Sequence, residues 1–339
     1  MIRYDYFLDC IINPETKVAI VSHNDLDGAG PIIIAKNYFL DCKYFTVSNN
    51  SVDKTVNLVL FDEAFCDREV IFITDCSVTD KKLIDLIEQI NHKGTRKIFL
   101  FDHHNTAIHL NKYDWALVEV GSVSATKLFW QYFQESVADE ITTEHFLKID
   151  NLVNKINDWD TWKWTERNDT DCSKLAELFS NTGIEYFLSK YTGDALNDYN
   201  RFEIFNRADC FLLKDLENKN KYIIEPGVKR SSRIVEFEFI IPVNGMLTRN
   251  FRKVKMCTIS SNIGDLAEML YEPGVDYVMF FYHDLVSVRS RVADLDLGAW
   301  AKYIGSGGGH QRAAGFQLSG STFHIYKNYL FNKFNYKEN

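Results

Sequence analysis

Five places along the chain gather residue types that hold metal ions, move protons or bind anions. They are His23, Asp25 and Asp27 in SHNDLDG, Asp75 in FITDCS, Asp102, His103 and His104 in FDHHNTA, Asp158 and Asp160 in INDWDTW, and Gly308, Gly309 and His310 in GSGGGHQRAAG. Asp102, His103 and His104 follow directly on an apolar run. Neighbouring side chains on a strand point to opposite faces, so three polar groups in a row cannot all serve packing, and at least one faces a cleft or a partner. His23, Asp25 and Asp27 have i, i+2, i+4 spacing where a strand should end and a helix begin, and Gly28 and Gly30 permit close backbone approach. The plain alternative is a helix cap at Asn24 or Asp25, and likewise at Asp75 before a helix starting near Thr79.

Taken together, carboxylates and imidazoles at several strand ends supply hard oxygen and borderline nitrogen ligands. That mixture suits Mn²⁺ or Fe²⁺ better than Mg²⁺, and the absence of thiolates disfavours structural zinc. Either Asp158 or Asp160 could close such a site, while the tryptophans beside them read as packing anchors rather than a stacking platform. Two divalent ions about 3.5–4 Å apart, bridged by one carboxylate, would hold a phosphate oxygen, generate a hydroxide near neutral pH and stabilise the leaving oxygen. Asp102 and His103 would then serve the metal site and His104 the substrate. In the glycine run, backbone N–H groups could converge on an anion beside His310 and Arg312, with a helix beginning at the alanines. A flexible linker is the alternative there. Arg289 and Arg291, in SVRSRV, alternate along a strand and either pair with phosphate or remain solvated.

These residues need a frame. Apolar runs at 17–23, 55–61, 69–74 and 96–101 alternate with helix-like stretches, the pattern of a parallel sheet covered on both faces. In open sheets of this kind ligands sit beyond the carboxyl ends of the strands, where the polar clusters fall. Helices are expected around 123–135, 144–157 and 198–219. From residue 221 shorter β-like runs (233–243, 253–260, 277–282, 285–292) surround a helix over 263–271. The fold class is α/β, with an N-terminal domain at 1–165, a helical connector at 166–220 and a smaller C-terminal α/β domain at 221–339.

With 339 residues, 46% of them hydrophobic, the chain can bury two cores. Its seven cysteines are scattered and form no CxxC pair, which argues against a disulfide framework and fits a reducing cytoplasm. No signal peptide is evident, and the apolar segment VDYVMFFY is too short to span a bilayer, so no membrane role is expected. The net charge of −9 argues against gripping long nucleic acid through its phosphates. Residues 221–339 carry 15 Lys+Arg and 11 Asp+Glu, a net of +4, against 23 and 36, a net of −13, in residues 1–220. The acidic part suits cations and the basic part an anionic ligand.

The ordered set SHNDLDG, FITDCS, FDHHNTA, INDWDTW, VRSRV and GGGHQRAAG resembles the DHH–DHHA1 phosphoesterases, most of all their oligoribonuclease (nanoRNase B-type) branch. The resemblance spans nearly the whole chain and is weakest over 166–225. It implies an N-terminal DHH domain holding two Mn²⁺ ions (Mg²⁺, Fe²⁺ or Co²⁺ as substitutes), a DHHA1 domain that binds the nucleotide, and a cleft between them. By resemblance, His23, Asp25 and Asp75 hold one ion, and Asp27, Asp75, His103 and a later aspartate, Asp160 rather than Asp158, hold the other, with Asp75 bridging. Asp102 orients this set, His104 contacts the scissile phosphate, and Arg289, Gly308, Gly309 and His310 hold the substrate. The resulting expectation is a Mn²⁺-dependent phosphodiesterase that cuts short RNA or dinucleotides to mononucleotides. A hydrolase of cyclic dinucleotides or of 3′-phosphoadenosine 5′-phosphate and a nucleotide-binding scaffold are the rivals. No track for long nucleic acid is evident, and a homodimer is compatible with the sequence.

Overall fold

The computed structural model describes residues 13–94, 96–137, 143–193, 204–219, 228, 232–243, 245–258, 267, 270–282, 285–304 and 307–317. The chain divides into two units, residues 1–213 and 214–339.

In the first unit, β1 (Val18–His23), β2 (Cys42–Val47), β3 (Val70–Thr74), β4 (Lys97–Asp102) and β5 (Ala116–Val118) form a wholly parallel sheet in the order β2-β1-β3-β4-β5. Strand alternation sorts the apolar side chains into two cores. Val18, Ile20, Val70, Phe72, Phe99 and Phe101 meet α1 (Leu26–Tyr38), α4 (Ala125–Val137), α5 (Thr143–Asp160) and α7 (Thr170–Tyr191) on one face. Ala19, Val21, Ile71, Ile73, Ile98 and Leu100 meet α2 (Val52–Phe61) and α3 (Lys81–Lys93) on the other. Each fully buried Val, Ile or Phe side chain contributes about 1.5–3 kcal/mol, so strands buried on both faces form a rigid base for the loops at their ends.

Two expectations are corrected here. The run at 55–61 is helix rather than strand. Val52, Val56, Val59 and Leu60 are its buried residues, and that spacing matches one face of a helix. The strand lies instead at Cys42–Val47, where only the end residues are buried and the apolar signal is weak. The stretch 166–213 also differs from a separate connector, since Leu175, Leu178, Phe187 and Leu188 of α7 belong to the first core. The short α6 (Lys163–Arg167) precedes α7, and α8 (Arg207–Lys219) follows it with Asn206 at its start.

The second unit is a six-stranded sheet in the order β10-β11-β9-β8-β7-β6, formed by β6 (Arg233–Val243), β7 (Met246–Thr258), β8 (Tyr277–Tyr282), β9 (Leu285–Ser290), β10 (Gly308–Gly309) and β11 (Ala313–Gln317). Only the β7/β8 pair among these is parallel. Helix α9 (Leu297–Ile304) places Trp300 among Phe237, Phe239 and Phe316 on one face. The alanines after the glycine run begin a strand, not the expected helix, because Ala313–Gln317 pairs with β9. The expected helix at 263–271 lies outside the described residues except for Ala267, Leu270 and Tyr271.

Candidate metal centre and substrate residues

Strand order reverses direction between β1 and β3, the point at which an open α/β sheet leaves a crevice at its carboxyl edge. His23 ends β1 and Asp75 follows β3. Asp25 caps α1, its Oδ1 accepting the Gly28 N–H at 3.0 Å, while Oδ2 lies 2.8 Å from His23 Nδ1. The cap reading and the ligand reading therefore fall on different oxygens of one carboxylate. Gly28 and Gly30 are required by close approach within the protein. A Cβ on Gly28 would lie 2.0 Å from the His23 carbonyl oxygen, and one on Gly30 would lie 2.1 Å from Thr126 Oγ1. That contact seats Asp27 at the start of α4, where its two oxygens accept the N–H groups of Ala125 (2.8 Å) and Thr126 (3.0 Å).

Asp75 is the hub. Its backbone takes the left-handed conformation, φ 55°, which favours glycine or asparagine, and its N–H donates to the Phe101 carbonyl at 2.9 Å. Asp75 Oδ1 lies 3.3 Å from His103 Nε2, and Oδ2 lies 3.7 Å from His23 Nδ1. His103 Nε2 is also 3.5 Å from Asp27 Oδ2. Two compact sets, His23/Asp25/Asp75 and Asp27/Asp75/His103, thus share Asp75.

Alternation along β4 divides the Asp102–His103–His104 triplet. His103 continues the face that carries α5, and its Nδ1 lies 3.5 Å from Asp160 Oδ2. Asp102 is buried and accepts from the His103 and His104 N–H groups and from Ser77 Oγ, with Oδ1 also 2.7 Å from His104 Nδ1. Asp158 is held by Arg167 and Asn157, whereas Asp160 lies beside His103. Ser77 was not legible as a site residue. Its one signal is its position two residues after Asp75, in the loop that faces the end of β4.

No family model matches the chain. Oligoribonuclease NrnB of Bacillus subtilis is 28% identical over 320 residues, covering 91% of this chain and 74% of that protein. The pGpG-specific phosphodiesterase PggH of Vibrio cholerae superposes with a TM-score of 0.52 at 12% identity, covering 95% of this chain and all of that one. Exonuclease RecJ bound to manganese superposes with a TM-score of 0.52 at 12% identity, covering 99% of this chain and 95% of that one. The sequence relative matches across both units. The chain is thus similar in sequence to an oligoribonuclease and in fold to a phosphodiesterase and an exonuclease, in line with the DHH–DHHA1 resemblance.

A divalent metal is implied by that resemblance, and the residues of this chain fit one. Among the described residues Asp75 Oδ2 is buried with no hydrogen-bond partner, a costly arrangement that a cation would relieve. Burial, with Asp25, Asp27 and Asp160 close by, raises the Asp75 carboxyl well above its usual range. Burial and the same acidic neighbours also raise Asp160. Burial pulls His103 down, which favours the neutral imidazole that ligates metals. Against the opposing effect of burial, Asp102 raises His104 to about 9, and His104 and Ser77 hold Asp102 at about 2.

In the second unit, Gly308 and Gly309 pair with Gly315 and Ala314, and His310 and Ala313 exchange both backbone bonds, at 2.7 and 3.3 Å. Gly308 and Gly309 of the glycine run thus form one arm of a tight hairpin. Gly309, at φ 133°, passes close to its partner strand, and a Cβ on Gly298 of α9 would lie 2.3 Å from the Gly309 carbonyl oxygen. Arg289 stands opposite Ala313 in the ladder and donates to Ser287 Oγ at 2.7 Å, and among the described residues no carboxylate pairs with it. Burial lowers its pKa, a cost that an anion beside the guanidinium would relieve. Arg291 lies beyond β9, 3.5 Å from Asp276 and stacked on Tyr271 at 4.5 Å, so its charge is already engaged.

Proposed function

We propose that the chain is a divalent-metal-dependent phosphodiesterase that hydrolyses very short RNA or dinucleotides to mononucleotides. The observation that carries this is the pair of ligand sets sharing Asp75 at the β1/β3 crevice. The sequence likeness to an oligoribonuclease supports the substrate class. His23, Asp25 and Asp75 would hold one ion, and Asp27, Asp75, His103 and Asp160 the other, with Mn²⁺ favoured by the mixed nitrogen and oxygen donors. Bound there, the ions supply positive charge for the phosphate and for the oxygen that departs.

The protein's own groups do the rest. Asp27 is fixed by the N–H groups of α4 and Asp75 by its strand-end backbone, so neither carboxylate reorganises when it is engaged. His104 is oriented through Nδ1 by Asp102, so a phosphate contact would be made through Nε2. Ser77 holds the second oxygen of Asp102 and keeps that carboxylate in register. Arg289, with Gly308, Gly309 and His310, would contact the substrate's anionic part. No helix among the described residues is long and apolar enough to cross a membrane, and the scattered cysteines support a cytoplasmic setting.

Purified protein with Mn²⁺ should release mononucleotides from pApA. Assays of a cyclic dinucleotide, of 3′-phosphoadenosine 5′-phosphate and of a 24-mer RNA run beside it would rank the alternatives. Absence of pApA hydrolysis in protein shown by elemental analysis to hold metal would overturn the reading.

A further inference from the structure

We propose that the indoles of Trp159, Trp162 and Trp164 form a nucleobase-stacking platform beside Asp160. This rests on the phosphodiesterase reading for its substrate class, and it reverses the expectation that these tryptophans are packing anchors. Trp159 stacks with both Trp162 and Trp164, and those two are tilted to each other. Trp159 and Trp164 have centroids 5.4 Å apart at 29°, Trp159 and Trp162 6.4 Å at 21°, and Trp162 and Trp164 6.4 Å at 32°. All three side chains are half-buried, so the cluster keeps ring surface in reach of solvent. Trp159 packs against the first core, whereas Trp162 and Trp164 join neither core of the first unit.

Three further features separate this cluster from ordinary packing. Trp162 takes a left-handed backbone, φ 62°, a conformation that a bulky side chain adopts only where its surroundings impose it. The Trp164 indole N–H is buried with no acceptor among the described residues, so the cluster is not a finished piece of core. The loop that carries the rings is tied down, with Lys163 donating to the Ser122 carbonyl and Arg167 paired to Asp158. Rings held in place before a ligand arrives lose little freedom on binding.

Position supplies the ligand class. Asp160 Oδ2 lies 3.5 Å from His103 Nδ1, and two peptide links put the Trp162 Cα within about 7.6 Å of the Asp160 Cα. A nucleotide with its phosphate at the carboxylate and imidazole cluster has its base one sugar away, the scale of that separation. Every base offers a flat π-face, so stacking on indole serves short RNA of any sequence.

The experiment compares wild type, Trp162→Ala and Trp162→Phe on pApA and on an analogue of the same backbone lacking both bases, with each variant's melting temperature recorded. Trp162→Ala should raise KM for pApA by about 5- to 150-fold with kcat held within a few-fold, leave the baseless analogue unchanged, and be partly rescued by Phe. Independently, AMP should quench tryptophan fluorescence saturably in EDTA-treated protein, ribose 5-phosphate should not, and Trp162→Ala should weaken the AMP response. Equal losses on both substrates, or unchanged KM and unchanged AMP binding, would overturn the platform. If wild type hydrolyses neither substrate, the phosphodiesterase reading fails, and the AMP titration still decides the platform.

Discussion

Replacing Asp75 by Asn separates metal binding from folding, because the two respond with opposite sign. Asn is the informative substitution. It tolerates the left-handed backbone that Asp75 occupies, whereas Ala would add about 1–2 kcal/mol of strain. It also keeps the shape while removing the charge. In metal-free protein Asp75 is buried among Asp25, Asp27 and Asp160, which raise its pKa, so Asn should leave the melting temperature unchanged or higher. In metal the balance reverses. A ligand at a hundred times its Kd stabilises the folded state by about 2.7 kcal/mol. For a unit of 213 residues that corresponds to a rise of about 5–10 °C. Wild type should show that rise on titration with Mn²⁺, and Asp75→Asn almost none, because one residue serves both ligand sets. Turnover should fall at least about a thousandfold, since each tenfold is about 1.4 kcal/mol and loss of the shared ligand removes several kcal/mol. Calorimetry with and without Mn²⁺, paired with pApA hydrolysis, checks both. A variant that keeps the Mn²⁺-induced rise and more than a tenth of wild-type turnover would refute the bridging role.

Asp160→Asn should lose most activity, while Asp158→Asn should lose less and instead lower the melting temperature, because Asp158 is buried against Arg167; the reverse ranking would move the ligand to Asp158. At the opposite end of the strands, the buried Arg68 holds Asp41 through two bonds of 2.7 Å and also binds Asp67, so Arg68→Met should cost about 1–3 kcal/mol without changing Mn²⁺ binding. Arg68 lowers the Asp41 pKa, so that stabilisation is present above the unfolded value of about 3.9 and is lost as pH falls through the lower folded value; urea melts at pH 7 and pH 3 should show the wild-type advantage shrinking in acid. Values of kcat/KM should fall steadily from 2-mers to 10-mers, and Arg289→Ala or His310→Ala should raise KM for pApA more than they weaken Mn²⁺ binding; a 24-mer degraded faster per site than a dinucleotide would replace the short-substrate reading with a long-strand exonuclease.

Residue type and local pattern were enough to establish much of this protein. Val18–His23, Val70–Thr74 and Lys97–Asp102 are near-continuous apolar strands, and such strands announce a parallel sheet without knowledge of their neighbours. The histidines and aspartates at their ends pointed to metal chemistry, because few other arrangements require carboxylate and imidazole at several successive strand ends. The structure alone decided what depends on contacts between distant residues. Val52–Phe61 became helix, and the weakly apolar Cys42–Val47 took the strand place beside β1, because a run of valines fits either period until a sheet edge selects one. Asp158 and Asp160 are equivalent as letters. They differ by about 200° around the helix they end, and only the packing of α5 against α1, α4 and α7 turned Asp160 toward His103 and left Asp158 to Arg167. The anchoring of Asp27 by Ala125 and Thr126, and of Asp102 by Ser77, likewise joins positions far apart in the chain, whose meeting is set by the order and twist of the strands between them.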